Sequence, residues 1–294
     1  MSAAIAILGQ GAWGRALAQT WRTAGNDVIT WDRHTADRTL RDADLIVTAV
    51  PAQATRTMLL RVSSSLKPDA TVLVTAKGLE QGTLARQSQI VAVMAPGHPC
   101  AALSGPGFAA DLTQGLPTAL TLAAPFEQAE GLQARLATDA LRLYLTDDLV
   151  GTELGGALKN VIAIACGVTI GAGLGESARA ALIARGFAEI SRLAVSCGAQ
   201  AETLGGLSGL GDLTLTCTSD QSRNYRFGAV LGQTGQAPSG ETYEGASTAD
   251  AASALAQRQG IDAPVITATA ALVGGHITVQ EAIQMLMRRP LRRE

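Results

Sequence analysis

Hydrophobic positions follow two different periods along the first half of the chain. Short runs that are apolar throughout, such as 45–50 and 72–76, are typical of strands covered on both faces of a sheet. Segments with apolar residues at helical spacing lie between several of these runs. The predicted strands are 3–8, 28–32, 45–50, 72–76, 100–104, 118–123 and 141–146, and the predicted helices are 12–24, 52–62 and 126–138. Strands separated by helices predict an α/β domain with a mostly parallel, doubly wound sheet.

The pattern changes near Asp147, after which strand-like runs become scarce. Glycine or proline marks several helix ends there, among them Gly198, Gly260 and Pro264. The predicted helices are 149–170, 177–197, 222–232, 246–259, 264–273 and 278–288. We therefore predict an α/β domain over 1–147 and an all-α domain over 148–294, with the substrate site in the cleft between them.

A glycine-rich turn follows the first predicted strand. Gly9, Gly11 and Gly14 form a Gly-x-Gly-x-x-Gly pattern, and apolar residues at helical spacing come next. In such a turn the first glycine allows the bend, the second lets backbone approach a pyrophosphate, and the third lets helix pack close to strand. Asp32 ends the second strand about 20 residues on, as dinucleotide-binding units require. The first domain is therefore predicted to be Rossmann-like, and a glycine turn in another βαβ unit is the alternative.

Composition narrows the class of protein. The chain has 294 residues, 47% hydrophobic and 16% charged, with a net charge of −2, which indicates a globular protein and gives no nucleic-acid or membrane signal. The longest apolar run, 161–174, is shorter than a membrane span and contains three glycines, so we interpret it as a buried helix. Four arginines close to the C-terminus are interpreted as a solvated end.

Cysteine and histidine spacing points away from metal chemistry. The four cysteines and three histidines lie far apart, with no C-x-x-C pair, so neither a metal site nor a redox pair is expected. A strand begins at once, so no signal peptide is expected. Together these features predict a cytoplasmic enzyme.

Two lysines are candidates for proton transfer or anion binding. Lys159 and Asn160 lie side by side in an otherwise apolar predicted helix, and a lysine there is a usable proton donor or acceptor once desolvated. Lys77 directly follows a strand, where ligands bind in open parallel sheets. The alternative for each lysine is a structural role, in which the aliphatic part of the side chain is buried and the ammonium group lies in solvent.

Three further stretches are candidate ligand contacts. Gly105 and its neighbours form a rigid turn after a strand, and Asp212 is a carboxylate in an apolar setting. Ser222 is placed to cap a helix whose first turn holds Arg223 and Asn224, which would favour a phosphate dianion. An ordinary N-cap with solvated charges is the alternative for that last stretch.

These stretches, taken in series, resemble the bacterial type of NAD(P)-dependent glycerol-3-phosphate dehydrogenase, and the resemblance runs through nearly the whole chain. It is carried by Gly9-Gln10-Gly11-Ala12-Trp13-Gly14, Ala76-Lys77-Gly78-Leu79-Glu80, Ser104-Gly105-Pro106, Leu158-Lys159-Asn160-Val161, Gly209-Leu210-Gly211-Asp212-Leu213, Gln221-Ser222-Arg223-Asn224 and Glu244-Gly245.

The resemblance implies interconversion of sn-glycerol 3-phosphate and dihydroxyacetone phosphate, for phospholipid synthesis, without a metal. It implies that Lys159 is the catalytic proton acceptor and donor. The implied substrate-binding residues are Lys77, Gly105, Asn160, Asp212, Ser222, Arg223 and Asn224, with Thr216 as a further contact. The implied cofactor-binding residues are Gly9, Gly11, Trp13, Gly14, Arg33, Lys77, Ala109, Arg223 and Glu244. A homodimer is common for such folds.

Cofactor choice stays open between NAD(H) and NADP(H). Asp32 would accept hydrogen bonds from the ribose hydroxyls of NAD and would repel a 2′-phosphate. Arg33 beside it would attract that phosphate, and for this reason we expect NADP(H). The segment between Asp32 and Leu45 is shorter than in the family. Gly107 stands where relatives commonly carry serine or threonine.

Two other functions are compatible with parts of the pattern. A β-hydroxyacid-type dehydrogenase would also pair a Rossmann-like domain with a helical domain and a lysine, but Arg223 favours a phosphate substrate. A nucleotide-sensing protein without catalysis would need neither Lys77 nor Lys159.

Overall fold

The computed structural model describes residues 4–125, 127, 129–240 and 242–287. A seven-stranded sheet fills the first half of the chain, in the order β2-β1-β3-β4-β5-β6-β7. Its strands are β1 Ala4–Leu8, β2 Val28–Trp31, β3 Ala43–Thr48, β4 Thr71–Val74, β5 Cys100–Ser104, β6 Thr118–Ala123 and β7 Leu141–Thr146.

Helices connect the strands and then form the second half of the chain. Those of the first half are α1 Ala12–Thr23, α2 Thr55–Val62, α3 Gln87–Met94, α4 Ala109–Thr113 and α5 Ala129–Leu136. Those of the second half are α6 Leu149–Gly171, α7 Glu176–Ser196, α8 Ala201–Gly205, α9 Asp212–Thr218, α10 Arg223–Thr234, α11 Glu244–Arg258, α12 Pro264–Val273 and α13 Val279–Met287.

The sheet is parallel except at one pair of strands. β5 and β6 run antiparallel, whereas the other neighbouring strands run parallel. Apolar residues of the sheet pack into two separate clusters, one on each face. The order of the strands reverses at β1, because β2 lies on one side of it and β3 on the other. Open α/β sheets bind ligands at such a reversal, in the crevice at the carboxyl ends of the strands, here those of β1 and β3. The predicted fold class is confirmed.

The glycine turn after β1 has the geometry that dinucleotide sites require. Gly9 has φ +116°, and a Cβ there would lie 2.5 Å from the carbonyl oxygen of Ala49. A Cβ on Gly14 would lie 2.2 Å from the carbonyl oxygen of Gly9, so α1 can pack this close only with glycine. A Cβ on Gly11 would meet nothing within 4 Å, which leaves open space over the N-terminus of α1.

Helix α6 is the central element of the helical half. Nearly all of it is buried, and the carboxylate of Asp148 caps its N-terminus by accepting a hydrogen bond from the Gly151 amide at 2.7 Å. Length and composition alone would allow α6 to cross a membrane, but 89% of its apolar stretch is buried inside the protein, as in a core helix. Around it α7, α9, α10, α11 and α12 supply most of the surrounding core.

Several differences from the sequence-based expectation concern short elements. Helices α3, α4, α8 and α9 were not predicted, because each is eight residues or fewer and shows little periodicity. The shortened segment after Asp32 forms a 3-10 helix over Asp37–Asp42. The four C-terminal arginines, and the ends of the predicted elements at 3, 126 and 288, lie outside the described residues. The division at 147 and 148 stays a prediction.

Candidate active site

Two lysines and one aspartate form the centre of the candidate site. Nζ of Lys159, on α6, donates to Oδ1 of Asp212 at 2.7 Å, and Nζ of Lys77, just beyond β4, donates to Oδ2 of the same carboxylate at 2.7 Å. The side chain of Asp212 is 1% exposed, that of Lys159 7% and that of Lys77 19%. The two ammonium groups therefore share one buried anion, and Lys77 lies nearer to solvent.

Burial dominates the electrostatics of Lys159. Removal from water lowers its pKa from 10.5 to about 8, the carboxylate of Asp212 opposes this shift, and the positive charge of Lys77 adds to it. A pKa near 8 allows a lysine to take up or release a proton close to neutral pH. The arrangement is suited to general acid–base chemistry.

A π-helical turn delivers Asp212 to this position. The turn spans Leu207–Gly211, and a Cβ on Gly209 within it would lie 2.0 Å from the carbonyl oxygen of Leu204. π-helical turns are frequent at functional sites. One helical turn beyond Asp212, the hydroxyl of Thr216 accepts a hydrogen bond from Nζ of Lys159 at 2.5 Å. Thr216 thus helps to fix the lysine head.

The loop after β5 meets Lys77 through its backbone. Nζ of Lys77 donates to the carbonyl oxygen of Gly105 at 2.8 Å, and Gly105 has φ +140°, a conformation that favours glycine. Next to it, a Cβ on Gly107 would press within 3.1 Å of Thr118 Cγ2 on β6. A serine or threonine side chain at position 107 would therefore displace its neighbours on β6.

Both predicted asparagines hold the backbone of the site together. Nδ2 of Asn160 donates to the carbonyl oxygen of Lys77 at 3.1 Å, and Oδ1 of Asn224 accepts from the amide of Gly245 at 2.9 Å. A Cβ on Gly245 would lie 2.6 Å from the carbonyl oxygen of Asn160, so α11 approaches α6 here at a glycine. These contacts join the elements that carry Lys77, Asn160 and Asn224.

The start of α10 carries the predicted phosphate contacts. Oγ of Ser222 accepts from the amide of Tyr225 at 3.2 Å, which confirms Ser222 as the N-cap of α10. Arg223 is exposed in the first turn, and its positive charge acts on the carboxylate of Glu244. Arg223 thus belongs to the rim of the site, whereas Lys77 and Lys159 meet in its interior.

Three of the predicted cofactor contacts, Gly11, Trp13 and Ala109, lie on or near helix α1. The N-terminus of α1 has no side-chain cap at Gly11, so its first amides are available to phosphates. The indole Nε1 of Trp13 is buried without a partner among the described residues, and Ala109 begins α4 nearby. An unpartnered buried N–H at this place fits a site that a dinucleotide completes.

Glu244 reaches across to the sheet half from the first turn of α11. Its Oε1 accepts from the amide of Ala52 at 3.1 Å, while Oε2 is buried without a partner in the described chain. Burial raises the pKa of Glu244, and the amide of Ala52 opposes this. A Cβ on Gly78 would lie 2.9 Å from Oε2, so only glycine leaves room for the carboxylate.

Sequence reasoning missed a buried ion pair beside the site. Nη1 of Arg86 and Oγ of Ser88, at the start of α3, both donate to Oε2 of Glu153 on α6 at 2.5 Å. A signal was present, because Glu153 is a charged residue in the same apolar run as Lys159. Within the described residues, no group of three or more His, Cys, Asp or Glu residues is placed to hold a metal ion.

Comparisons with known proteins assign both halves of the chain to the same family. The family model for the NAD-dependent glycerol-3-phosphate dehydrogenase N-terminus matches residues 4–38 and 34–130, and the model for the C-terminus matches residues 148–284. The glycerol-3-phosphate dehydrogenase [NAD(P)+] of Cereibacter sphaeroides is 50% identical, with 99% of this chain and all of that protein covered. The protein of the same name from Paracoccus denitrificans is 47% identical, with 99% of each covered.

Solved structures give the same result. A crystal structure of glycerol-3-phosphate dehydrogenase from Coxiella burnetii superposes with a TM-score of 0.92 at 33% identity, over 98% of this chain and 99% of that one. A glycerol-3-phosphate dehydrogenase from Plasmodium falciparum shares the fold, with a TM-score of 0.87 at 18% identity over 99% and 97% of the two chains. The chain therefore belongs to the NAD-dependent glycerol-3-phosphate dehydrogenase family.

Proposed function

We propose that this protein interconverts sn-glycerol 3-phosphate and dihydroxyacetone phosphate with a nicotinamide cofactor. The observation that carries the proposal is the pair of ammonium groups of Lys77 and Lys159 on one buried carboxylate, beside a dinucleotide-type glycine turn. The curated relatives with which it aligns end to end are named glycerol-3-phosphate dehydrogenase [NAD(P)+]. When bound, the nicotinamide supplies or accepts the hydride.

Lys159 is the proposed catalytic residue. In ketone reduction its ammonium gives a proton to the oxygen on C2, and in alcohol oxidation the neutral amine takes that proton back. The pKa of about 8 keeps both forms accessible near neutral pH. Asp212 and Thr216 hold the Nζ atom from two sides and so fix the direction of proton transfer.

Lys77 and the loop around Gly105 are proposed to bind the polar end of the substrate next to Lys159. The Lys77 ammonium is more exposed than that of Lys159, so it can also donate to a substrate oxygen while it keeps its contact with Asp212. A fixed positive charge close to the reacting carbonyl stabilises the developing alkoxide. Asn160 is proposed to act here through its hold on the Lys77 backbone.

The first turn of α10 is the proposed phosphate site. The helix start capped by Ser222 offers backbone amides, and Arg223 offers a guanidinium. Asn224 accepts from the Gly245 amide through Oδ1, which leaves its Nδ2 as the donor to a phosphate. Binding energy from a phosphate that does not react would hold C2 in position for hydride transfer.

The cofactor is proposed to lie across Gly9, Gly11 and Gly14 at the N-terminus of α1, with Trp13, Arg33, Lys77, Ala109, Arg223 and Glu244 around it. Arg33 favours NADP(H). We also propose a cytoplasmic location, a role in supplying the glycerol backbone of phospholipids, and a homodimer.

A spectrophotometric assay at 340 nm with dihydroxyacetone phosphate tests the reaction directly. We expect oxidation of NADPH or NADH that depends on the ketone, and formation of sn-glycerol 3-phosphate as product. Dihydroxyacetone without phosphate and a β-keto acid are the matched controls, and both should react far more slowly because neither engages the phosphate site. Faster turnover of the β-keto acid would replace the proposal with a β-hydroxyacid dehydrogenase.

A further inference from the structure

The turn that follows β2 uses the carboxylate of Asp32 to hold itself together. Oδ1 of Asp32 accepts from the amide of His34 at 2.9 Å, from the amide of Thr35 at 3.1 Å and from the hydroxyl of Thr35 at 3.0 Å. These donors, led by the His34 amide, lower the pKa of Asp32, so the group is a stable anion near neutral pH. The Asp32 carboxylate therefore stabilises the turn by accepting hydrogen bonds from residues within it.

Arg61, on α2, holds the same turn from outside. Its Nη1 donates to the carbonyl oxygen of Arg33 at 3.0 Å, and its Nη2 and Nε donate to the carboxylate of Asp37 at 3.0 Å and 3.3 Å. The guanidinium also stacks over the ring of Trp31, 4.8 Å from the ring centroid, and Nε1 of Trp31 donates to Asp37 at 3.1 Å. Arg61, Asp37 and Trp31 form a closed network around the Arg33 backbone, which we call the β2 clamp.

The β2 clamp leaves the head of Arg33 free to bind an anion. Arg33 is exposed, and its Nε donates to Nε2 of His34 at 3.1 Å. Among the described residues no carboxylate lies within ion-pair distance of Arg33, whereas the nearby Arg61 is already paired with Asp37. The end of β2 is where such folds distinguish the 2′-hydroxyl of NAD from the 2′-phosphate of NADP.

We propose that Arg61 is a positioning residue for cofactor selection, which fixes the Arg33 backbone so that the Arg33 guanidinium binds the 2′-phosphate of NADP(H). This inference rests on the proposed function. A planar guanidinium can contact Asp37, the Trp31 ring and the Arg33 carbonyl at the same time, which a lysine ammonium cannot do. Because the Arg33 backbone is already fixed, less conformational entropy is lost when its side chain binds the phosphate.

Calorimetric titration with two nucleotide fragments tests the positioning without turnover. 2′,5′-ADP carries the 2′-phosphate, and 5′-AMP lacks it but is otherwise the same. We expect the unmodified protein to bind 2′,5′-ADP more tightly by at least about tenfold, the contribution of a charged hydrogen bond. Arg33→Met should abolish this preference, and both Arg61→Met and Arg61→Lys should reduce it about tenfold, with 5′-AMP affinity unchanged.

Arg38→Met is the matched control, because Arg38 lies on the neighbouring 3-10 helix, is exposed, and has a side chain that makes no hydrogen bond or ion pair with the described residues. It should leave the preference unchanged. Asp37→Ala separates a positioning effect from a charge effect. If only the negative charge of Asp37 mattered, its loss would strengthen binding of 2′,5′-ADP. The inference expects weaker binding, because the β2 clamp is lost. Tighter binding in Asp37→Ala, or a full preference retained in Arg61→Lys, would overturn the inference.

Assays of dihydroxyacetone phosphate reduction with NADPH and NADH separate this inference from the proposed function. Absence of turnover with both cofactors would remove the proposed reaction, while the fragment preference would still decide the role of Arg61. Turnover with equal efficiency for the two cofactors, together with equal binding of the two fragments, would overturn the inference and leave the reaction in place.

Discussion

At the residue scale, the chemistry depends on how Lys159 is buried. Its head lies between the carboxylate of Asp212 and the hydroxyl of Thr216, and its side chain is only 7% exposed. A lysine in this setting loses hydration, and one close carboxylate offsets only part of the loss. Its proton is therefore held more weakly than on a lysine in water, which is the property that a proton donor needs.

Replacement of this lysine should remove most of the turnover. We expect Lys159→Ala to lower kcat by about 10²–10⁴, the usual contribution of a general acid or base. Cofactor binding should persist, because the glycine turn lies on the other half of the chain. Steady-state kinetics and calorimetric cofactor binding check both parts. Lys67→Ala, at a partly exposed lysine paired with Asp69, is the control. Near-normal turnover in Lys159→Ala would reject the catalytic role.

The two directions of the reaction should depend on pH with opposite signs. Reduction requires the ammonium form of Lys159, so its kcat should fall as pH rises through about 8, and oxidation requires the neutral amine, so its kcat should rise through about 8. Because Asp212 raises the pKa of Lys159, both inflections should move to lower pH in Asp212→Asn. Profiles of kcat against pH in each direction provide the measurement, and inflections that stay in place in Asp212→Asn would contradict this account.

Arg223 allows a separate test of the phosphate contact. Arg223→Ala should raise the KM for dihydroxyacetone phosphate by about 10–100-fold, because hydrogen bonds to charged groups contribute about 1.5–3 kcal/mol. The salt dependence of KM should weaken as well. Arg226→Ala, one helical turn on and exposed, provides a control with the same loss of charge. An unchanged KM in Arg223→Ala would remove Arg223 from the phosphate site.

At the element scale, glycines bring α6 and α10 into unusually close contact. A Cβ on Gly167 or Gly228 would lie 2.0 Å from a backbone oxygen of the facing helix, and a Cβ on Gly232 would lie 2.3 Å from one. Backbone at this distance cannot shift without moving the whole helix. The close packing holds the start of α10, with Ser222 and Arg223, in place relative to Lys159.

Gly228→Ala should therefore destabilise the protein, even though alanine favours helix. We expect a loss of at least about 1–3 kcal/mol, the usual cost of overpacking, because the new methyl group would lie 2.0 Å from the carbonyl oxygen of Ile164. Gly131→Ala on α5 is the control, since a Cβ there meets nothing within 4 Å, and it should be neutral or stabilising. Denaturant midpoints measure both variants, and a stable Gly228→Ala would contradict the packing argument.

The sequence predicted long, periodic elements better than short or non-local ones. The turn at Gly9, the strands and the long helix around Lys159 carry their own local pattern, so each could be identified. The antiparallel pairing of β5 with β6 depends on which strand edge is free, and the π-helical turn before Asp212 depends on its contact with α6. Asp32 was expected to face a ribose, but the structure also gives it a local use, because its carboxylate caps the turn that follows.

At the scale of the whole molecule, three carboxylates of the helical half accept hydrogen bonds from groups of the sheet half among the described residues. Lys77 pairs with Asp212, the Ala52 amide donates to Glu244, and Arg86 pairs with Glu153. Two of the three involve residues of the candidate site. The third is a structural contact that fixes α6 against α3 behind the lysines.

Loss of this third contact should be costly. Glu153→Ala would leave the guanidinium of Arg86, which is only 17% exposed, without its anion. Breaking a buried pair from one side typically costs about 3–5 kcal/mol, so we expect a clearly lower denaturant midpoint. Glu130→Ala, on the exposed side of α5, is the control. An unchanged midpoint in Glu153→Ala would show that the pair does not stabilise the junction.

The shared carboxylate of Asp212 has a consequence for covalent labelling. An acylating reagent in water reaches the more accessible amine, Lys77, before the enclosed one. Acylation removes a cation that depresses the basicity of Lys159, and it releases one oxygen of Asp212 to its remaining amine. The pKa of the unmodified Lys159 should then rise. Acylation of Lys77 would therefore be detected as a shift in the titration curve of Lys159, which the reagent has not modified.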